Sequence, residues 1–96
     1  MKVKNINGTT QNTCTCGSWL NHWKKFSKQT VTVCKAKGCH NKDIVGAHVR
    51  KDVNYDDRWY IVPFCHQHNH PTTGKIELKK STKLIPANIV TTCRTQ

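Results

Sequence analysis

Acidic residues are what this chain has least of. Five Asp and Glu stand against sixteen Lys and Arg in 96 residues, a net charge of +11 with histidine neutral. An excess of that size favours polyanionic partners, nucleic acid foremost, over acid-lined sites. Long apolar runs are missing as well. No stretch approaches the ~20 residues that cross a bilayer as a helix, which excludes a transmembrane helix. The opening MKVKNINGTT has no apolar core of the kind a secretory signal needs, so the expected compartment is the cytoplasm. In that reducing setting cysteines bind metal more often than they form disulfides. Large apolar side chains are few: two Phe, two Tyr and three Trp, with 35% hydrophobic residues overall. A single domain this short and this thin in core is expected to need a staple, either metal or disulfide. Internal repeats and dividing linkers are absent too.

The charge is uneven. Residues 1–42 carry eight Lys and no acid, residues 43–70 set three bases against four Asp, and residues 71–96 set five bases against Glu77. Both flanks are therefore basic and the middle is nearly neutral. Only three of the cations are Arg, and planar phosphate recognition favours Arg over Lys. A solubility coat thus stands as the alternative to a nucleic-acid-binding surface.

What is present centres on residues 34–70. Cys34 and Cys39 form a C-x4-C pair, and Cys65 and His68 form a C-x2-H pair after an interval of 25 residues. Two close pairs of soft ligands, separated by enough chain for a hairpin, suit a tetrahedral structural Zn2+. His68 has the spacing of a ligand on one helical turn; His66 is adjacent to Cys65 and points elsewhere, His70 fits only an irregular turn, and His40 is a weaker competitor. With four protein ligands the site is closed, which assigns the zinc a structural role. Three thiolates and a dication would leave the charge near +10. Cys14, Cys16 and Cys93 remain. Three readings stay open for them: reduced thiols, a bridge from Cys93 to Cys14 or Cys16, or a second metal site with His22.

The rest of the chain is read around that site. Residues 1–13 are polar and predict a flexible N-terminal extension. Ser18 predicts an N-cap, followed by a short helix with Trp19, Trp23 and Phe26 on one face and Lys24, Lys25 and Lys28 towards its C-terminal end. The stripe reads as a core contact, with base-stacking as the alternative. Val31–Val33 predicts a strand feeding Cys34, and Gly38 a tight turn between the first two ligands. Ile44–Val49 predicts a second strand, and Trp59–Val62 a third, ended by Pro63. Cys65–Asn69 predicts one helical turn cut short by Pro71. Ile76–Lys79 alternates like a strand, with weaker β signals beyond it. Knuckle, hairpin and ligand-bearing turn follow in the order of a treble clef. The expected fold class is α+β: a small zinc-stabilised treble-clef module over 31–70, with a short flanking helix and strands, inside one domain spanning 14–96.

The segments CGSWLNHWKKFS, VGAHV, WYIVPFCHQHN and ANIVTTC resemble a small family of uncharacterised bacterial proteins sharing GSW-L-x-H-W, GAHV and YIVPxC. That resemblance covers most of the chain and implies architecture only. Residues 34–70 also resemble the HNH endonuclease module, a ββα-metal fold, through GAHV and IVPFCHQHN. This second resemblance implies that His48 matches the general base of phosphodiester hydrolysis, with Asn69 or His70 matching a residue that helps bind a catalytic ion. The chain departs from the pattern where an acid normally precedes the base, since Ala47 stands there, and where an Asn is usual, since Trp59 or Tyr60 stands there. Phosphodiester hydrolysis needs a divalent ion on oxygen ligands, so the expectation is no cleavage. The expected function is that of a zinc-binding domain, monomeric or weakly associating, that binds nucleic acid through its basic flanks. An HNH-like nuclease with a degenerate site and a protein-interaction scaffold are the alternatives.

Overall fold

The computed structural model describes residues 1–6, 18–53, 56, 58–70 and 74–87. Its elements are β1 (Lys2–Asn5), α1 (Trp19–Ser27), β2 (Ile44–Lys51), β3 (Tyr60–Cys65), β4 (Lys75–Glu77) and β5 (Ile85–Pro86). The strands form one sheet in the order β4-β1-β2-β3-β5, and every neighbouring pair is antiparallel. This is an α+β fold of one sheet and one helix. The described part contains the hairpin and the ligand-bearing turn, with no further α-helix after the second ligand pair.

The hairpin β2–β3 is the centre. Its register runs from Ile44 opposite Cys65 to Val49 opposite Tyr60. Side chains alternate across it as the pleat requires. Ala47, Val49, Tyr60, Val62 and Phe64 join Val3, Ile76, Leu78, Cys34 and Ala36 in the main core on one face. Gly46, His48 and Ile61 face the other way, towards α1, where Trp23, Ile61 and Ile85 form a second small core with Trp19, Phe26 and Val31 at its margin. Every residue of β3 is buried, because both faces of that strand are covered.

Three expectations change at this level. The expected flexible extension does not hold for Lys2–Asn5, which is an inner strand paired on both sides. Val3 is fully buried there, and one β-branched residue between two lysines suffices for a strand when both neighbours supply a ladder. Residues 7–13 lie outside the described residues, as do Cys14, Cys16 and Cys93. Val31–Val33 forms no strand; the segment serves as a connector, with Val31 packed against the helix-side core. Pro63 does not end β3, which runs on to Cys65. The Pro63 carbonyl accepts from Lys35 N at 2.9 Å, so that residue's ladder groups point away from β2. A missing N–H on that side removes no bond from the hairpin.

The helix follows its sequence signals closely. Ser18 is extended and its Oγ accepts from Asn21 N at 3.1 Å. Lys28 closes the helix in the left-handed region at φ 56°, its N–H bonded to the Lys24 carbonyl. Trp23 is fully buried and donates from Nε1 to the Lys83 carbonyl at 2.8 Å. Gly46 is what lets the helix sit down. A Cβ there would strike the Trp19 backbone and lie 2.5 Å from Leu20 N, so this is a close-approach glycine within an ordinary strand.

Candidate metal centre

The four expected ligands converge. Cys34 lies in the connector between α1 and β2, held by its N–H to the Asn41 carbonyl at 2.9 Å and by Lys35 N to Pro63 at 2.9 Å. Cys39 follows a tight turn in which its N–H reaches the Ala36 carbonyl at 3.0 Å and Gly38 takes φ 79°. A left-handed residue at that position is cheap only for glycine. Ala36 also bridges to Leu78, which fixes the knuckle on the β4 side. Lys79 Nζ donates to the Cys39 carbonyl at 2.6 Å. Cys65 is the last residue of β3, and Asn69 N closes an i→i+4 turn onto its carbonyl at 2.8 Å. The expected helical turn is thus present, and it carries His68 back over Cys65.

One ligand atom from each of Cys34, Cys39, Cys65 and His68 lies within 4.8 Å of all the others. A tetrahedron with metal–sulfur bonds of about 2.3 Å and metal–nitrogen bonds of about 2.0–2.1 Å separates two sulfurs by about 3.8 Å and a sulfur from a nitrogen by about 3.6 Å. Cys39 Sγ and Cys65 Sγ are 3.9 Å apart, and Cys34 Sγ and His68 Nδ1 are 3.6 Å apart. Cys65 Sγ and His68 Nδ1 are closer, at 3.2 Å. All three cysteines are free thiols. The four residues lie close enough to bind a metal ion, and three soft sulfurs with an imidazole are the donor set of structural zinc.

Backbone and side-chain donors surround the sulfurs. Ala36 N points to Cys34 Sγ at 3.5 Å and Asn41 Nδ2 to Cys65 Sγ at 3.4 Å. Burial pushes the Cys34 thiol up to about 12. At Cys65 burial acts in the same sense, but hydrogen bonds from Asn41 and His68 outweigh it and bring the thiol down to about 6. A buried site that favours thiolate at one sulfur and resists it at another is well served by a dication, which stabilises both as thiolates.

The remaining histidines sort by surroundings. His66 is exposed, with Nδ1 2.9 Å from Asp43 Oδ2, and His40 and His70 are exposed. Asn69 Oδ1 accepts from Asn5 Nδ2 at 2.6 Å. His48 is 3% exposed and lies beneath α1, its ring 4.7 Å edge-on from Trp19. Its Nδ1 is buried with no hydrogen-bond partner among the described residues. Burial first, and His22 second, lower its pKa to about 4. A base in that position is not presented to a phosphodiester. The described acids are engaged elsewhere: Asp43 with His66, Asp52 with Lys4 and Lys75, Asp56 with Arg58 and Lys51, and Glu77 with the Met1 ammonium. Among the described residues, no group of three or more Cys, His or acidic side chains other than the Cys3His set could hold an ion.

His22 is the buried polar residue that the stripe of Trp19, Trp23 and Phe26 left out. It is fully buried, its Nε2 is 2.8 Å from the Pro86 carbonyl, and burial lowers its pKa. Position 22 completes the i, i+3, i+4, i+7 pattern of a helix face, so its spacing was the available signal.

Comparison of the chain with protein-family models, with curated proteins and with solved structures finds no match.

Proposed function

We propose that the chain is a zinc-stabilised binding domain of treble-clef type whose basic surface engages nucleic acid. The observation that carries the first half is the convergence of one ligand atom from each of Cys34, Cys39, Cys65 and His68 to within 4.8 Å of one another. Knuckle, hairpin and ligand-bearing turn follow in treble-clef order, and four protein donors leave no open position for catalysis at the ion. The second half rests on charge. Asp52, Asp56 and Glu77 are bound to cations of the chain itself and Asp43 to His66, and the sequence carries an excess of +11 with histidine neutral.

This reading is preferred to a nuclease because a nuclease would need His48 beside an ion on oxygen ligands. His48 is instead packed under a helix, without a neighbouring carboxylate among the described residues. Elemental analysis of protein purified without chelator tests the metal, with one zinc per chain expected and its loss in Cys65→Ser. Titration against single-stranded and duplex oligonucleotides at several salt concentrations tests the partner. Binding that weakens steeply with salt supports it, and no binding to either at low salt favours the protein-interaction scaffold.

A further inference from the structure

The sheet has one face that α1 covers only in part. Helix α1 contacts β2, β3 and β5, which among the described residues leaves the edge strand β4 and its neighbour β1 without a helix on that side. The side chains there can be assigned from the register. His48 points at Trp19 of the helix, so Arg50, two residues further along β2, points to the same face. Arg50 is opposite Lys4 of β1, and Lys4 is opposite Lys75 of β4. Directly opposed residues share a face. Val49 is opposite Tyr60, where the β2–β3 ladder ends, and Trp59 is the residue just before β3, at the same end of the hairpin as Arg50. Lys75, Lys4 and Arg50 thus form one row across three strands, about 10 Å long at ordinary strand spacing, and Trp59 sits just beyond the start of the next strand. Among the described residues Trp59 is the large aromatic side chain left exposed, at 48%.

The row is cationic with an indole at its end. Asp52 is the acid within it, 3.6 Å from Lys4 Nζ and 3.3 Å from Lys75 Nζ. It offsets one of three positive charges and holds both ammonium groups on this face. Exposed tryptophan is costly in water and common where a planar partner stacks, and cations beside it suit a phosphodiester backbone. Arg50, exposed on this face, adds a planar donor fork.

We propose that this row is a docking surface for single-stranded nucleic acid, with a base stacked on Trp59 and the backbone running across Arg50, Lys4 and Lys75. The proposal deepens the nucleic-acid reading above and rests on it. Stacking calls for an unpaired base, which is why a single strand is the occupant rather than a duplex.

The test is fluorescence anisotropy of short labelled DNA and RNA single strands, and of a duplex, against the full zinc-loaded chain. Trp59→Ala is expected to weaken single-strand binding roughly 5- to 150-fold, the ratio that stacking one base on one ring corresponds to. The triple change Lys4→Gln, Arg50→Gln, Lys75→Gln is expected to flatten the salt dependence by about two in log–log slope, at about 0.7 per lost single-strand phosphate contact. An equal charge loss at Lys24, Lys25 and Lys28, on the exposed end of α1, is the control and should leave the Trp59-dependent binding in place. Zinc content and circular dichroism confirm that each variant is folded. Wild-type affinity retained in Trp59→Ala, binding lost in the α1 control, or preference for the duplex would overturn this surface while leaving the nucleic-acid reading intact. Failure of the wild-type chain to bind any of the three would overturn both.

Discussion

Replacing Gly46 by alanine should undock the helix. The added Cβ would lie 2.5 Å from Leu20 N and 2.7 Å from Trp19 Cβ, and closer still to the Trp19 carbonyl carbon. Ordinary contact needs about 3.5–4.0 Å between such atoms, so the first turn of α1 must lift by about 1 Å. Neither side yields easily, because the obstruction is backbone against backbone. Overpacking typically costs about 1–3 kcal/mol, and a rigid contact belongs at the upper end. Lifting the turn also loosens the Trp19–His48 ring contact at 4.7 Å and the small core of Trp23, Ile61 and Ile85. A loss of roughly 3 kcal/mol is therefore expected, from a total that for a domain of this size is about 5–15 kcal/mol. Urea denaturation followed by far-ultraviolet circular dichroism measures it, with near-ultraviolet signal reporting the buried Trp23. Zinc content should stay at one per chain, since the ligand set lies among the residues of the other core. Stability within about 0.5 kcal/mol of wild type, the usual range for an inconsequential change, would refute the close-approach reading.

Other outcomes follow from the same packing. Trp23→Ala should cost roughly 3–5 kcal/mol, and more than Trp59→Ala by nearly all of that, because one ring is buried and the other exposed; paired denaturation curves decide it. Chelation should unfold the knuckle first, read as loss of amide protection at residues 34–41 and 65–70, since a structural zinc contributes roughly 10–16 kcal/mol of apparent binding energy. Acid should destabilise the chain through His48. Its folded pKa, about 4, lies below the ordinary value of 6.5, so the stability tied to the neutral ring is complete above that value and is lost as pH falls from about 6.5 towards 4. The total is about 3 kcal/mol, and an acid limb equally steep in His48→Leu would show that another group is responsible.

Much of the site was legible because metal ligation is a matter of residue type and spacing. Cys34, Cys39, Cys65 and His68 were readable as two pairs, and the i→i+4 turn after Cys65 was readable from the C-x2-H interval. The helix was readable for a similar reason, since Ser18 and the aromatic period are local signals. What could not be read was tertiary. Lys2–Asn5 has one apolar residue, and only its two neighbouring strands make it a strand. Pro63 looks like a terminator until its bond from Lys35 shows which side of the strand is unladdered. His48 was a candidate base only through the resemblance of its segment to the HNH module, and nothing local says that α1 covers it.

That last point recasts two segments of the chain. Strand residues 45–49 and helix residues 18–23 meet face to face. Gly46 admits the helix backbone, and His48 presents its ring to Trp19. Trp19 also touches His22 at 5.1 Å, and His22 reaches the β5 carbonyl of Pro86. Alternating with Gly46 and His48, Ala47 and Val49 point the other way into the core shared with Cys34 and Cys65. One four-residue stretch therefore serves two cores by strict alternation. Shifting its register by one residue would bring Ala47 and Val49 under the helix and Gly46 and His48 into the core beside the ligands. Such a constraint specifies small, large and aromatic positions along β2 without invoking catalysis. It also explains why the strand can carry a buried imidazole with no acid beside it among the described residues: the ring's partner is a helix, and the next residue facing that way, Arg50, is already exposed.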